Sequence, residues 1–430
     1  MLSLLAGINC NYSIPEQVYL YGMAPVEKMK ILILWPATPH PFHPSYARPY
    51  YFMKFYASET SITLLSPHVN MQSFTLPSEV KCEAVPIHTF ESPYLKILLS
   101  TIGRITLTNM RYARDFNLFK SYFPPFQRAI NSIIKRDDFD IIYSHYQVCS
   151  YLLRHKLAGR INAPVILEFF SPMLYAQREF FKSEILSEKL RAFAKYVSFR
   201  LFEVGRYKHF EGGIYVSKTH LELSKPFLPK RCFIIPPGVD VEHFKPSNTC
   251  SNDPSLLFVG SMHYTPNILG ILYFYSRVYP YVKREVSHVR FYIVGRNPDA
   301  RIKKLGSDPS VIVTGTVKDV RPYLSTANVF INPVIIDDGG IKSKVLEAMA
   351  MGKAVVSTPL GVRDLGVTNE RNIIVAKNDE EFAEKVVSLL KDENYRKRIG
   401  LEARRFVEDN YSWEKQSRTL YMCLKELMER

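Results

Sequence analysis

Residues 335–351 read IIDDGGIKSKVLEAMAM, and this stretch is the strongest indication of fold and ligand in the chain. Two consecutive glycines follow an apolar, strand-like run, so the backbone can turn there and leave peptide N–H groups facing outward. The helix predicted next, from Lys342 to Met351, adds the partial positive charge of its N-terminus. Glycine amides followed by a helix N-terminus predict an anion-binding site at Gly339 and Gly340.

Two charged side chains of this predicted helix share one face. Lys344 lies in the first turn, where its ammonium group can reach a bound phosphate, and Glu347 follows three residues later. A carboxylate one turn beyond a diphosphate is placed to bind a ribose diol. The alternative is an ordinary turn followed by a solvated Lys–Glu pair. The segment is not a P-loop, because the G-x-x-x-x-G-K-[ST] spacing is absent, and no G-x-G-x-x-G occurs in the chain.

The strands predicted around this segment alternate with helices, which is the pattern of a doubly wound parallel sheet. In such open sheets, ligands bind beyond the carboxyl ends of the strands. The segment after the strand predicted over Val329–Pro333 is one of these ends. The other strand ends predicted in this half are Gly260-Ser261 after Ser255–Val259, Gly295-Arg296 after Val289–Val294, and Gly315 after Val311–Thr314.

The first half of the chain shows the same alternation and predicts another α/β domain with its own parallel sheet. The turn at Pro236–Asp240 and the polar stretch Pro246–Asp253 predict a linker. We therefore predict an extension over residues 1–28, a first domain over 29–236, a second over 237–410 and a final helical segment over 411–430. The strands of the first domain are predicted at Ile31–Trp35, Ser61–Ser66, Ile141–Ser144, Pro164–Phe169, Gly213–Ser217 and Cys232–Ile235.

The formal net charge of +15 limits the class of partner. The first 240 residues hold 28 Lys and Arg against 18 Asp and Glu, so the excess is concentrated there. Such a field favours nucleic acid, lipid headgroups or phosphorylated small molecules. No zinc-finger spacing, RNP-like motif or basic region with heptads is present, so nucleic acid is not expected as a partner. Two basic stretches rich in aromatic residues, Tyr94–Lys120 and residues 178–212, are interpreted either as solvated helix faces or as contacts with a membrane surface.

Cysteine usage and hydropathy indicate the compartment. The six cysteines form no C-x-x-C and no close pairs, so neither a disulfide framework nor a zinc site is predicted and a reducing cytoplasm is expected. His40 and His43 lack a third ligand, so no metal site is predicted there. No apolar run reaches the roughly 18 residues that a spanning helix needs.

The run Leu346–Thr358, LEAMAMGKAVVST, resembles the L-E-A-M-A-x-G-x-P-V-V-x-[ST] signature of glycosyltransferase family 4. Other segments resemble motifs of this family in the same order, and the resemblance covers residues 29–425, most densely between 232 and 360. It implies the GT-B fold, with two facing Rossmann-like domains, an interdomain cleft, and a last helix after Tyr411-Ser412-Trp413 that crosses back to the first domain. The further matching segments are Ile141–His145, Ile234–Asp240 with Phe244, Phe258–Ser261 with Pro266-Asn267, Ile293–Pro298 and Val313–Val317.

The resemblance implies a retaining, metal-independent transfer of a hexose-type residue from a nucleotide diphosphate sugar to a hydroxyl group of a glycan or lipid-linked acceptor, without a bound cofactor. Together with the basic first half, it places this activity in the cytoplasm, at the inner face of the membrane. The implied catalytic residues are His145, Lys344 and Glu347, with His145 and Arg48 on the acceptor side. The implied donor-binding residues are Gly260, Ser261, Asn267, Arg296, Val317, Gly339, Gly340, Lys344 and Glu347.

The sequence departs from the family pattern at three places. Gly339 stands where the family has the first of two glutamates eight residues apart, Pro237 replaces the hinge asparagine, and Pro36–Pro44 replaces a glycine-rich loop. A branch associated with exopolysaccharide synthesis carries Gly-x-x-x-Lys, as Gly340 and Lys344 do here, and is the nearest resemblance. The alternatives are a nucleotide-sugar epimerase, a sugar phosphorylase, or a catalytically silent partner subunit.

Overall fold

The chain forms two α/β domains, each built on its own parallel sheet. The computed structural model describes residues 28–35, 39–41, 46–67, 76–85, 128–169, 207–225, 228–247, 253–336 and 340–429. Several predictions lie outside these residues: the extension before residue 28, the stretch Tyr94–Lys120, residues 178–206 of the second basic stretch, and Gly339. All of them stay predictions.

The first sheet has seven strands in the order β3-β2-β1-β4-β5-β6-β7, and every neighbouring pair is parallel. Leu32 and Leu34 of β1 pack in one hydrophobic cluster, and Ile31 and Ile33 pack in another on the opposite face. Both faces of this strand are therefore buried, which explains its continuous apolar run. The strands are β1 Met29–Leu34, β2 Thr60–Pro67, β3 Lys81–Val85, β4 Ile141–His145, β5 Val165–Phe169, β6 Gly212–Tyr215 and β7 Arg231–Ile234.

The second sheet has six parallel strands in the order β10-β9-β8-β11-β12-β13. This is the doubly wound order in which the chain reverses direction between the first and fourth strands, here β8 and β11, and ligands bind in the crevice that this reversal opens. The strands are β8 Ser255–Val259, β9 Arg290–Val294, β10 Val311–Gly315, β11 Val329–Asn332, β12 Ala354–Ser357 and β13 Ile374–Val375.

Helices cover the faces of both sheets. The helical stretch from Thr265 to Glu285 is divided by a π-helical turn, Phe274–Val278, just before Pro280. Proline has no N–H to continue the α-helical hydrogen bonds, which accounts for the irregularity. The α-helices are α1 Ala47–Tyr56, α2 Cys149–Leu157, α3 Lys218–Ser224, α4 Thr265–Tyr273, α5 Tyr279–Glu285, α6 Ala300–Leu305, α7 Arg321–Thr326, α8 Ser343–Ala350, α9 Asp379–Lys391, α10 Glu393–Tyr411 and α11 Trp413–Met428, with a further helix over residues 128–136.

Two chain segments connect the domains and pair with each other. The amide of Val239 donates to the carbonyl of Tyr411 at 2.7 Å, and the amide of Trp413 donates to the carbonyl of Val239 at 3.2 Å. Beyond this pairing, α11 packs with Leu420 and Leu424 into the cluster that contains Ile31 and Ile33 of the first sheet. The final helix therefore belongs to the core of the first domain. Among the described residues, no helix has the length and apolar character needed to cross a membrane.

Candidate functional site

Three glycines lie side by side at the carboxyl ends of β8, β9 and β10. The amide of Gly260 donates to the carbonyl of Val294 at 3.0 Å, and the amide of Gly295 donates to the carbonyl of Gly315 at 3.2 Å. Gly295 has a φ of +156°, and a Cβ atom there would lie 1.7 Å from the carbonyl oxygen of Gly260. Glycine is required at residue 295 because the two backbones approach too closely for any side chain.

Asn267, on α4, joins the end of β8 to α8. Its Nδ2 donates to the carbonyl of Ser261 at 3.0 Å, and its Oδ1 accepts from Nζ of Lys344 at 2.8 Å. The Lys344 ammonium group also lies 4.2 Å from the centroid of the Phe258 ring. The structure thus brings Ser261, Asn267 and Lys344 together, although 83 positions separate the first from the last in the printed sequence.

Lys344 and Glu347 lie one turn apart on α8, and both are half-buried. Burial lowers the pKa of Lys344 to about 7, with a smaller effect of Lys342 in the same direction and an opposing one from Glu347. Burial likewise raises the pKa of Glu347 to about 7, against the effect of Lys344. Neighbouring groups whose pKa values are both shifted towards neutrality occur preferentially at functional sites.

Glu347 lines a pocket together with residues of the first domain. The same pocket is lined by Ala47 and Tyr51 of α1, by Gly238 and Asp240 of the connecting segment, and by Trp413. Glu347 therefore lies where α8, α1 and both interdomain connections meet. The sequence pattern predicted the shared face of Lys344 and Glu347 but not these other lining residues.

The start of α8 is open towards the site. Lys342 is its N-cap residue, and no side chain caps the helix among the described residues. Among the described residues, nothing lies within 4 Å of where a Cβ atom on Gly340 would be, so they leave the backbone before the helix open to close approach. The first amides of a helix without a side-chain cap are donors for a bound anion. Gly339, predicted to take part in the same contact, lies outside the described residues.

Two predicted donor residues lie on this edge but apart from the contact between Asn267 and Lys344. Arg296 is exposed directly after β9, and its carbonyl accepts from the amide of Met262 at 3.0 Å. Val317 is half-buried after β10 and packs against the hydrophobic cluster of α8. Their roles in donor binding stay predictions.

His145 ends β4 in the first domain and is only 4% exposed. Its ring lies edge-on to Trp35, with 5.2 Å between the ring centroids. Burial lowers the pKa of His145 to about 3, so the imidazole is neutral at physiological pH. Its predicted catalytic and acceptor-side role stays a prediction.

Arg48 departs from its predicted position facing the cleft on the acceptor side. The side chain is 1% exposed, and Nε donates to Glu168 Oε1 at 2.5 Å. Nη2 donates to the carbonyls of Ile235 at 2.8 Å and Pro236 at 3.2 Å. The guanidinium group is buried because it pairs with a carboxylate that is itself fully buried, and an isolated charge there would be very unfavourable.

Glu168 is a residue that the sequence reasoning missed. Its carboxyl group pairs with Arg48 and accepts a short hydrogen bond from the hydroxyl of Tyr143. Burial raises the pKa of Glu168 to about 7, although Arg48 acts in the opposite direction. A single carboxylate in the apolar strand Val165–Phe169 was the available signal, because buried carboxylates require a partner.

Comparison with known proteins is consistent with this geometry. The sequence profile of the family described as Glycosyl transferases group 1 matches residues 253–392, which contain β8 to β13 and the site on α8. The match lies within the second domain and covers about a third of the chain.

Two curated proteins are similar in sequence to parts of this chain. An uncharacterised 44.6 kDa protein in the cps region of Klebsiella pneumoniae is 25% identical over 42% of this chain and 49% of its own length. The capsular polysaccharide biosynthesis glycosyltransferase CapM of Staphylococcus aureus is 33% identical over 28% of this chain and 33% of its own. The chain thus spans half or less of the length of the curated relatives that it matches.

Solved structures extend the likeness to both domains. Sucrose-phosphate synthase (tll1590) from Thermosynechococcus elongatus has a TM-score of 0.66 at 14% identity, covering 93% of this chain and 99% of that one. Alr3699/HepE of Anabaena, solved in complex with UDP-glucose, has a TM-score of 0.59 at 13% identity, covering 93% and 100%. At such identities the likeness shows the fold, and the predicted GT-B architecture of two Rossmann-like domains is confirmed.

Proposed function

We propose that this protein is a retaining glycosyltransferase that moves a sugar residue from a nucleoside diphosphate sugar to a hydroxyl group of a glycan or lipid-linked acceptor. The observation that carries the proposal is the placement of Lys344 and Glu347 on one face of α8, where Glu347 lines the interdomain pocket and Lys344 is held by Asn267. The match of residues 253–392 to the profile of the group 1 glycosyl transferases supports the same reaction class.

In this proposal, negative charge develops on the diphosphate as it leaves, and the residues around it are those that stabilise this charge. The acceptor oxygen forms a bond to the anomeric carbon while the bond from that carbon to the diphosphate breaks, and the acceptor proton leaves with the products. The first amides of α8 and the ammonium group of Lys344 stabilise the negative charge that grows on the leaving group. The proposed stabilisation comes from these groups of the protein, without a metal ion or cofactor.

Glu347 has the binding role. Its carboxylate accepts hydrogen bonds from the two hydroxyl groups of the donor ribose, which fixes the nucleotide relative to Lys344. Hydrogen bonds to a charged acceptor are each worth about 1.5–3 kcal/mol. This fixes the donor for attack, so Glu347 acts through proximity and orientation. A solved neighbour in complex with UDP-glucose makes UDP-sugars the first donors to test.

The class of acceptor is proposed from the net charge of the first half of the chain. The net positive first half favours an anionic or membrane-surface acceptor, such as a lipid-linked diphosphate glycan at the inner face of the membrane. The names of the two relatives refer to a cps region and to capsular polysaccharide, which supports a growing polysaccharide as the acceptor class. No observation favours an epimerase or a phosphorylase over a transferase.

The test is a transfer assay with a panel of radiolabelled UDP-, GDP- and ADP-sugars, with and without lipid-linked and glycan acceptors. The proposal predicts acceptor-dependent incorporation of label, release of the nucleoside diphosphate, and an anomeric configuration in the product equal to that of the donor. Glu347→Gln should lose incorporation, whereas Glu384→Gln, on the exposed face of α9, should keep it. Conversion of the donor without an acceptor would favour the epimerase, and the absence of nucleotide binding would favour a silent partner subunit.

A further inference from the structure

Arg48, at the start of α1, contacts three parts of the molecule with one guanidinium group. It pairs with Glu168 in the sheet of the first domain, and it donates to the carbonyls of Ile235 and Pro236 where the chain leaves that domain. The centre of the guanidinium group lies 5.9 Å from the ring centroid of Trp413, where the chain returns. Arg48 therefore ties the sheet to both interdomain connections.

Tyr51 lies one turn further along α1 and contacts the same two connections. Its hydroxyl donates to Asp240 Oδ2 at 2.9 Å, and its ring stacks on Trp413 with 5.0 Å between centroids and 10° between planes. The other oxygen of Asp240 accepts from the amides of Glu242 at 3.1 Å and His243 at 2.9 Å. Asp240 is thus fixed to its own turn and to α1 at once.

The two connections are packed closely enough to transmit this contact. Val239 pairs with Ser412, and a Cβ atom on Gly238 would lie 2.6 Å from the Trp413 ring. Glycine at residue 238 therefore lets Trp413 lie directly on the backbone of the outgoing segment. Movement of one connection moves the other, because no gap separates them.

Several residues that make these contacts also line the pocket at the candidate site. Tyr51, Gly238, Asp240 and Trp413 line this pocket together with Glu347. The face of α1 that carries Arg48 and Tyr51 thus determines where the first domain stands relative to the carboxyl group of Glu347. The guanidinium group of Arg48 is 1% exposed, so it acts on the pocket through the groups that it holds and not at the pocket surface.

We propose that Arg48 and Tyr51 are positioning residues that fix the angle between the two domains through the paired connections at Val239 and Trp413. Their kinetic effect rests on the proposed function, since it acts on the transfer step at Glu347. Their effect on the connections does not, because it is a property of the protein without ligand. Lysine cannot replace Arg48, since a single ammonium group cannot reach the carboxylate and two carbonyls in the fork geometry of a guanidinium.

Hydrogen exchange of the unliganded full chain tests the structural part. Mass spectrometry of peptides covering residues 235–244 and 407–417 reports the amides of Val239 and Trp413. Tyr51→Phe keeps the stack on Trp413 and loses only the hydrogen bond to Asp240, so it should fold. We expect amide exchange in these peptides to become about tenfold faster in Tyr51→Phe, because losing one hydrogen bond to a charged group has an effect of about this size. In Arg48→Lys the increase should be larger. Tyr275→Phe, which removes a hydroxyl that donates to a carboxylate (Asp308) within the second domain, should exchange in these two peptides as the unaltered protein does.

Two exchange results would overturn the proposal. One is unchanged exchange at both peptides in Tyr51→Phe. The other is an increase spread over the whole first domain, which would indicate general destabilisation rather than a local hinge.

The kinetic part separates positioning from binding. With a donor identified, Tyr51→Phe should lower kcat about tenfold while the Kd for the nucleoside diphosphate changes less than about threefold, because the nucleotide binds chiefly to the second domain. An equal loss in Kd and kcat would make Tyr51 a donor ligand and contradict the positioning role. If no transfer is found at all, the proposed function fails, and the exchange result still decides whether Arg48 and Tyr51 hold the connections.

Discussion

Nζ of Lys344 donates a hydrogen bond to Oδ1 of Asn267 at 2.8 Å, across the gap between α8 and α4. The two helices follow strands on either side of the point where the second sheet reverses direction. The contact thus spans the crevice in which doubly wound sheets bind their ligands. It holds an ammonium group of lowered pKa beside the open start of a helix, which is the electrostatic basis of the proposed diphosphate site.

Proton uptake on nucleotide binding should reveal Lys344. Its pKa of about 7 leaves it mostly neutral at pH 8, and a bound diphosphate raises that pKa, so binding at pH 8 should take up close to one proton. Glu347 is already mostly ionised at this pH and contributes little. Titration calorimetry in buffers of different ionisation enthalpy measures the uptake. Lys344→Arg, which stays protonated, should bind without it, and an equal uptake in that variant would contradict the assignment.

Asn267→Ala should weaken nucleotide binding about tenfold, because Lys344 loses the acceptor that orients it and a hydrogen bond to a charged group contributes roughly 1.5–3 kcal/mol. Asn267→Asp should instead raise the pKa of Lys344 and reduce the proton uptake at pH 8. Fluorescence or calorimetric titration of both variants checks this pair of effects. Wild-type affinity in Asn267→Ala would show that Lys344 needs no positioning.

The fold was largely predictable from local patterns, for a physical reason. Strands buried on both faces are continuous apolar runs, as in Ile31–Leu34, and they are visible without any tertiary information. Strand β3, KCEAV, was missed because it is an edge strand whose Lys81 and Cys82 are exposed, so it lacks such a run. Strand β13 was missed because it is two residues long.

The site was predictable only on its α8 side. Lys344 and Glu347 are separated by one helical turn, which a sequence displays directly. Arg48 contacts Glu168, 120 positions away, and Ile235, 187 positions away. No local periodicity encodes such pairs. Arg48 was therefore predicted on the acceptor side of the cleft and not at the interdomain connections. The lone carboxylate of Glu168 in an apolar strand was the signal that could have indicated a buried cationic partner.

Gly295→Ala should destabilise the second domain, because the new Cβ atom would lie 1.7 Å from the carbonyl of Gly260. Overpacking of this kind typically costs about 1–3 kcal/mol, and here the obstacle is backbone that cannot rotate away. A melting temperature several degrees below wild type is expected. Gly340→Ala is the matched control, since no described residue lies within 4 Å of its Cβ position and the melting temperature should stay unchanged. Equal melting temperatures for the two variants would contradict the close approach of β8 and β9.

The stability difference between Glu347→Gln and wild type should depend on pH. The pKa of Glu347 is raised from its ordinary 4.5 to about 7, so its contribution to folding is fully present below pH 4.5 and is lost as pH rises through 7. Glutamine does not titrate. Between pH 5 and pH 8 the free energy of unfolding of the variant should therefore rise relative to that of wild type, by roughly 1–3 kcal/mol. Thermal unfolding at both pH values measures this. A stability offset of Glu347→Gln that does not change with pH would refute the raised pKa.

Calorimetric titration with UDP, GDP and ADP measures whether Glu347 holds the nucleotide of the donor, as we propose. We expect one of these nucleotides to bind the wild-type protein and Glu384→Gln with equal affinity. We expect Glu347→Ala to bind the same nucleotide at least about 100-fold more weakly, because two hydrogen bonds to a carboxylate are lost. Wild-type affinity in a folded Glu347→Ala variant would rule out this role for Glu347.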